Sequence, residues 1–329
     1  MPVTMRDVAE KAGVSIRTVS RAIHSQGEIT EETRQKVLAA VEDLGYRPSK
    51  VARALVTRRT ETIGLILGDI NNPYFPEFAR GVMDAAETKG YRVFVCNSDA
   101  DLDKEIRALE SLADHGVDGI IVFPGYENEA IHRAFAETDA PLVIINRPFR
   151  HPKIGLVLTR IEQGVRLAID HLVRKGHTAI GMVAGSAPLD QMQRAKGFRD
   201  ALTAHGLQVM DEWIVPGPPV LEHGVQATHH LLNHYPQITA LFCYNDLIAI
   251  GAIQSCKEMD RLIPGDVAII GFDDILFASM TDPPLTSVHV DKYWMGQQAT
   301  ELLFKMLDNP DDSFPPVYAD VRLAIRASA

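Results

Sequence analysis

Ile16, Arg17, Ser20 and Arg21 recur at intervals that place them together on the outward face of a short helix. The chemistry available there is recognition. An arginine presents paired N–H donors that match the O6 and N7 acceptors of guanine, while an isoleucine offers apolar contact to a thymine methyl. The hydroxyls of Thr4, Ser15, Thr18 and Ser20 suit phosphate oxygens, which set register without carrying sequence. A helical hairpin with a solvated basic face would look the same over these residues alone, so the elements around them decide.

Those elements read as two helices and a tight turn. Thr4 can cap the first helix, with Asp7 at the capping-box position, and Val8, Ala9 and Ala12 share one face. Gly13 ends it, Ser15 caps the second helix, and Val19, Ala22 and Ile23 point inward. A third helix is predicted over Glu31 to Leu44 behind Thr30, with Val37, Leu38, Val41 and Leu44 on its apolar face and Gly45 closing it. Ser49 can cap a further helix from Lys50 to Val56, which at under two turns is too short to be stable alone in water. The pattern is a helix-turn-helix, and its expected partner is double-stranded DNA.

Charge divides the chain in the same place. Residues 1–60 hold 11 Lys and Arg against 7 Asp and Glu, whereas the remainder holds 22 against 36, for a net of −10 overall. A basic head can neutralise phosphates, and the acidic bulk would be repelled by them, so DNA contact is expected at one end only. No apolar run approaches the ~20 residues of a membrane span, and the N-terminus lacks the apolar core of an export signal. Cys96, Cys243 and Cys256 are odd in number and widely spaced, as expected of buried thiols in a reducing cytoplasm.

Beyond residue 61 the pattern is alternation. Apolar runs at Ile63 to Leu67, Arg92 to Cys96, Gly119 to Phe123, Leu142 to Ile145 and Leu156 to Leu158 are separated by amphipathic helices. A second series follows at Ile180 to Ala184, Trp213 to Val215, Ala240 to Cys243, Val267 to Gly271 and Thr286 to Val290, with a last strand near Val317 to Ala324. This predicts an α/β chain with a three-helix headpiece and two doubly wound lobes, their parallel sheets covered on both faces. The expected division is headpiece 1–46, hinge and linker 47–60, and core 61–329, with lobe one near 61–160 and 291–314 and lobe two near 161–290 and 315–329.

Enzymatic chemistry finds little support. Neither Gly-x-Gly-x-x-Gly nor Gly-x-x-x-x-Gly-Lys-Ser/Thr cradles a nucleotide, and no Gly-x-Ser-x-Gly elbow presents a nucleophile. His230 and His234, four apart beside His223 and His229, have a zinc-compatible spacing, but no acidic residue completes a site. We expect no cofactor, no metal and no catalytic residue. A solute-binding transport protein would share the lobes, but it would need an export signal and would not carry a basic head.

The ordered motifs Asp7-Val-Ala, Ala12-Gly-Val-Ser, Thr18-Val-Ser-Arg, Arg47-Pro-Ser, Val51-Ala-Arg-Ala-Leu, Asn72-Pro-Tyr-Phe, Val117-Asp-Gly-Ile-Ile, Asn245-Asp246, Ile263-Pro-Gly-Asp-Val and Ile270-Gly-Phe-Asp-Asp resemble the LacI/GalR family of bacterial transcriptional regulators from about Thr4 to about Arg326. The resemblance implies a cytoplasmic homodimer that binds a pseudo-palindromic operator, repressor being the family default. Leu55 matches the hinge leucine that wedges into the minor groove, where an apolar side chain unstacks one base step and kinks the duplex. Ser49 and Arg53 are counted with it among the DNA contacts. No terminal heptad follows the last strand, so a dimer rather than a tetramer is expected.

The resemblance also implies a small-molecule effector, a sugar or sugar derivative, between the lobes. In open α/β sheets ligands bind beyond the carboxyl ends of the strands. The residues selected there are Asn71, Tyr74, Phe75, Asn146, Arg147, Arg194, Asn245 and Asp273. Side chains matching Asn146, Arg194, Asn245 and Asp273 hydrogen-bond sugar hydroxyls in carbohydrate-responsive relatives, and Tyr74 or Phe75 can stack on an apolar ring face. Asn146 stands where many relatives carry aspartate, and Arg147 and Arg160 are added, which predicts a shift of the cleft toward positive charge and leaves room for a sugar acid or sugar phosphate. A nucleoside or purine is the other alternative.

Overall fold

The computed structural model describes residues 3–24, 29–46, 59–125, 128–149, 151, 153–185 and 188–329, with the backbone alone at 24 and 188–192. Ser49, Arg53 and Leu55 lie outside the described residues. The chain divides into two compact units, residues 1–60 and 61–329.

In the first unit, α1 (Met5–Ala12), α2 (Ile16–His24) and α3 (Glu31–Leu44) enclose a small core of Val8, Ala9, Val19, Ala22, Val37, Ala40 and Tyr46. Leu38 was expected in that core and is instead 39% exposed, while Ala40 is buried. The face that α3 turns inward carries Val37 and Ala40, with Val41 and Leu44 packed at its margin, and leaves Leu38 outside.

The second unit contains two six-stranded sheets. The first has the order β11-β5-β4-β3-β1-β2 and the second β12-β10-β9-β8-β6-β7. Their strands are β1 (Thr62–Leu67), β2 (Arg92–Asn97), β3 (Gly119–Val122), β4 (Leu142–Ile145), β5 (Ile154–Thr159), β6 (Ile180–Val183), β7 (Ile214–Val215), β8 (Ala240–Cys243), β9 (Ala268–Asp273), β10 (Thr286–Val290), β11 (Val317–Ala319) and β12 (Val321–Ala324). Every pairing is parallel except β10 with β12. The helices are α4 (Tyr74–Thr88), α5 (Leu102–Asp114), α6 (Glu129–Glu137), α7 (Ile161–Arg174), α8 (Pro188–Ala204), α9 (Leu221–His234), α10 (Asp246–Glu258) and α11 (Lys292–Asp308).

Two expectations need correction. The single last strand over Val317 to Ala324 is two strands broken at Asp320, and Val317–Ala319 pairs with β5 in lobe one rather than belonging to lobe two. The chain thus changes lobe three times, at Arg160, Asp291 and Asp320. The sheets are also not covered throughout, because Phe94 and Val95 on edge strand β2 stay exposed.

Each lobe joins a pair of helices through a glycine crossing. A Cβ on Gly81 of α4 would lie 2.1 Å from the carbonyl oxygen of Tyr293, and one on Gly296 of α11 would lie 2.2 Å from that of Phe78. Gly224 of α9 and Gly251 of α10 repeat the arrangement in lobe two. Removing the side chain lets the helix backbones touch, which seats α4 and its first turn firmly against lobe one.

Candidate functional sites: a helix surface and an interlobe cleft

On the headpiece, the caps form as the sequence requires. Thr4 Oγ1 accepts from the Asp7 amide, and the Asp7 carboxylate accepts from the Thr4 amide at 2.7 Å, which holds its pKa below the ordinary carboxylate range. Ser15 Oγ accepts from the Thr18 amide at 3.1 Å and lies 2.9 Å from Thr18 Oγ1. Of that hydroxyl pair one hydrogen remains available to a phosphate oxygen. Ile16 is 46% exposed, Arg17 and Arg21 are exposed, and Thr18 and Ser20 are half-buried. Burying Val19 and Ala22 therefore turns Ile16, Arg17 and Arg21 outward on α2.

The cleft lies between the carboxyl ends of the two sheets and has a volume of about 410 Å³. Of the eight residues selected from the sequence, Tyr74, Phe75, Asn146, Arg194, Asn245 and Asp273 line it. Asn71 does not; it is exposed, and its neighbour Asn72 takes the lining position while accepting from the Tyr74 amide at 3.0 Å. Arg147 does not line it either. Its guanidinium is buried behind the wall, 3.5 Å from the Pro124 carbonyl, and acts on the Glu105 carboxyl.

Glu105 lies within electrostatic reach of Arg147. It is fully buried on α5, accepts from the Gly125 amide at 2.8 Å, and burial pushes its pKa up to about 7 against the opposing pull of that amide and Arg147. Arg160, the other added arginine, lines a separate pocket and pairs with Asp320 at 3.0 Å over the Tyr318 ring. The expected positive shift is therefore missing from the cleft, where Arg194 is the one basic side chain among the described lining residues, beside Asp69, Asp99 and Asp273.

Arg194 is fixed from four sides. It donates to the Tyr244 carbonyl, lies 3.4 Å from Asp273 Oδ1, and sits 4.1 Å from the Tyr244 ring centre and 4.2 Å from that of Phe272. Asn245 caps α10 through Ile248, and its amide nitrogen donates to the Pro219 carbonyl at 3.2 Å. That bond pins the proline-rich lip, whose Pro218, Pro219 and Val220 form one wall. Asn146, at φ 57°, accepts from the Thr159 amide at 2.7 Å. Below Asp273, Asp246 is fully buried and accepts from Ser287 at 2.5 Å and the Ile275 amide at 2.7 Å; burial first, and then the Asp273 charge, push its pKa well up.

Across from Arg194 the wall is aromatic. Phe123 meets Phe75 at 5.2 Å and Phe78 at 4.6 Å, both edge to face. Tyr74 is largely core, its hydroxyl directed at Met295 Sδ. The arrangement offers hydrogen-bonding amides, one cation and one carboxylate on one side and ring edges on the other, which suits a compact ligand with hydroxyls and an apolar face. Sequence reasoning missed Asp69, Asn72, Asp99 and Phe123 as lining residues, although all follow strand ends, and it places Pro216-Gly217-Pro218-Pro219 at the lip of the cleft without its contacts. Among the described residues no three His, Cys, Asp or Glu gather as metal ligands, and no helix is long and apolar enough to cross a membrane.

Comparisons with known proteins give the family. Residues 4–49 match the family model of bacterial regulatory proteins of the lacI family, and residues 169–329 match that of the periplasmic binding protein-like domain. The chain is 35% identical to catabolite control protein A of Priestia megaterium, over 100% of this chain and 99% of that one. It is 34% identical to the ribose operon repressor of Halalkalibacterium halodurans, over 94% and 92%. The crystal structure of the lac repressor dimer bound to operator and the anti-inducer ONPF superposes with a TM-score of 0.90 at 28% identity, over 100% and 99%. With a capped helix-turn-helix, two parallel-sheet lobes and relatives matched along their whole length, the chain belongs to the LacI family and is a DNA-binding transcriptional regulator, not an enzyme.

Proposed function

We propose that the protein represses transcription from a pseudo-palindromic operator as a cytoplasmic homodimer, and that a neutral, hydroxyl-rich ring in the interlobe cleft changes its operator affinity. The observation that carries the effector class is Arg194, held between two rings with Asp273 beside it and Asn72, Asn146 and Asn245 around the same cavity. Hydroxyls donate once and accept twice, so a mixed set of donors and acceptors recognises them better than a cluster of like charges would. Asp69 along the wall disfavours an anion, whereas the Asp99 carboxylate is paired with Lys104.

On the DNA side, Arg17 and Arg21 read base edges, Ile16 contacts a thymine methyl, and Thr4, Ser15, Thr18 and Ser20 take phosphates. Ser49, Arg53 and the wedge Leu55 act at the centre of the site. Exposed Phe94 and Val95 on β2, and Leu276, Phe277 and Met280 after β9, are the apolar surfaces that a second copy would cover.

The test has two arms. Selection of bound duplexes from a random library at physiological salt is expected to enrich a palindrome with a flexible pyrimidine-purine centre. A thermal-shift screen is expected to give stabilisation by neutral sugars, with D-ribose and cellobiose as first probes, and none by gluconate or glucose 6-phosphate. Stabilisation by the anions alone, or by hypoxanthine alone, would overturn the sugar reading.

A further inference from the structure

Lys292 occupies a position that two elementary rules disfavour. It is the first residue of α11, where the positive end of the helix dipole repels a cation, and it is 1% exposed. What offsets both is a full set of acceptors. Its ammonium donates to the carbonyls of Asp273 at 2.7 Å, Asp274 at 3.1 Å and Val290 at 3.1 Å, and lies 3.3 Å from Glu77 Oε2.

The first two acceptors belong to a strained turn. Asp273 and Asp274 have φ of 104° and 52°, two consecutive left-handed conformations in residues with side chains. The Asp274 carboxylate is taken by His289 at 2.8 Å and Arg326 at 2.7 Å, and the Asp273 carboxylate faces Arg194 in the cleft. The fourth partner is on the other lobe. Glu77 belongs to the first turn of α4, the turn that sets Phe75 into the opposite wall of the same cavity.

We propose that Lys292 is a positioning residue for the effector site: it holds the Asp273–Asp274 turn in the conformation that aims Asp273 at Arg194, and through Glu77 it joins that turn to the lobe-one wall. The two walls of the cleft then share one buried cation. Displacing Asp273 from within the cleft loads α4, and the reverse holds by thermodynamic reciprocity. The inference rests on the reading of the cleft as the effector site.

Hydrogen–deuterium exchange on the full-length protein without added ligand tests it, comparing wild type with Lys292→Met and Glu77→Gln. The amides of Asp274 and Ile275 are bonded to Ser287 and Asp246, so their exchange reports the turn. Lys292→Met is expected to speed their exchange about tenfold and to raise exchange in residues 74–78 as well. Glu77→Gln, an exposed change that leaves folding intact, is expected to raise exchange at the same two sites by a smaller factor, with β8 unchanged in both variants. A uniform rise across the core would mark Lys292 as merely structural; an undisturbed turn, or a Glu77→Gln effect confined to α4, would overturn the proposal. Failure of the cleft reading shows separately, as sugar stabilisation that survives Arg194→Met.

Discussion

Arg194→Met is the substitution on which the geometry of the cleft bears most directly. The arginine and Asp273 side chains are 8% and 9% exposed, so the pair is screened little by solvent. Methionine retains much of the stem volume, and the loss is therefore electrostatic. Removing one partner of a buried ion pair costs about 3–5 kcal/mol; the length of the contact, 3.4 Å, argues for the lower end of that range. Losing the cation from between the Tyr244 and Phe272 faces adds about 0.5–1 kcal/mol for each. The sum is about 4 kcal/mol, or roughly 10 °C in midpoint for a unit of this size. Urea denaturation of wild type, Arg194→Met, Asp273→Asn and the double variant reads it. The double variant is expected to recover at least about 2 kcal/mol relative to additivity. An Arg194→Met protein within about 1 kcal/mol of wild type, or strictly additive single losses, would refute the claim that this pair is built into the wall independently of any ligand.

Glu105 predicts a pH dependence. Its pKa is raised by folding from an ordinary 4.5 to about 7, so the folded state binds the proton more tightly. Its contribution to stability is fully present below about 4.5 and is lost as pH rises to about 7; the loss is about 3 kcal/mol. Glu105→Gln should therefore gain on wild type between pH 5 and pH 8 in urea midpoint, and a pH-independent difference would exclude a raised pKa. In the headpiece, Arg21→Ala is expected to cost about 1–3 kcal/mol of operator binding and to relax preference at one guanine in a duplex selection. A uniform loss at every sequence would make Arg21 a phosphate contact instead. Leu55→Ala is expected to weaken operator binding roughly ten- to a hundredfold while leaving non-specific binding nearly unchanged, and an unchanged operator affinity in a mobility-shift titration would remove the wedge assignment.

Local rules made most of the architecture legible. Thr4, Asp7, Ser15 and Thr30 announce helix starts through bonds to amides within three residues, and those bonds form. The alternation of apolar runs and amphipathic stretches likewise needs no long-range information. What local pattern could not supply was direction. Arg147 follows β4 as a cleft residue should, yet its guanidinium is buried near the Pro124 carbonyl, and nothing local in the sequence signals that burial. Leu38 is more apolar than Ala40 and loses its place to it, because the space behind α3 is decided by α1 and α2. Asp320 reads as an ordinary polar residue in an alternating strand, and only the presence of two sheets makes it a junction.

That junction has a mechanical consequence. Two bodies joined by one flexible tether keep all three rotations, and joined by two they keep a free swing about the line between them. Here the connections at Arg160, Asp291 and Asp320 make three, so independent tumbling of the lobes is removed and any relative motion must bend all three connections together. Lengthening any one connection by a few glycines would leave the other two to carry the constraint. Severing the last, by ending the chain before Val317, would strip an edge strand from each sheet at once and convert a guided motion into a loose one.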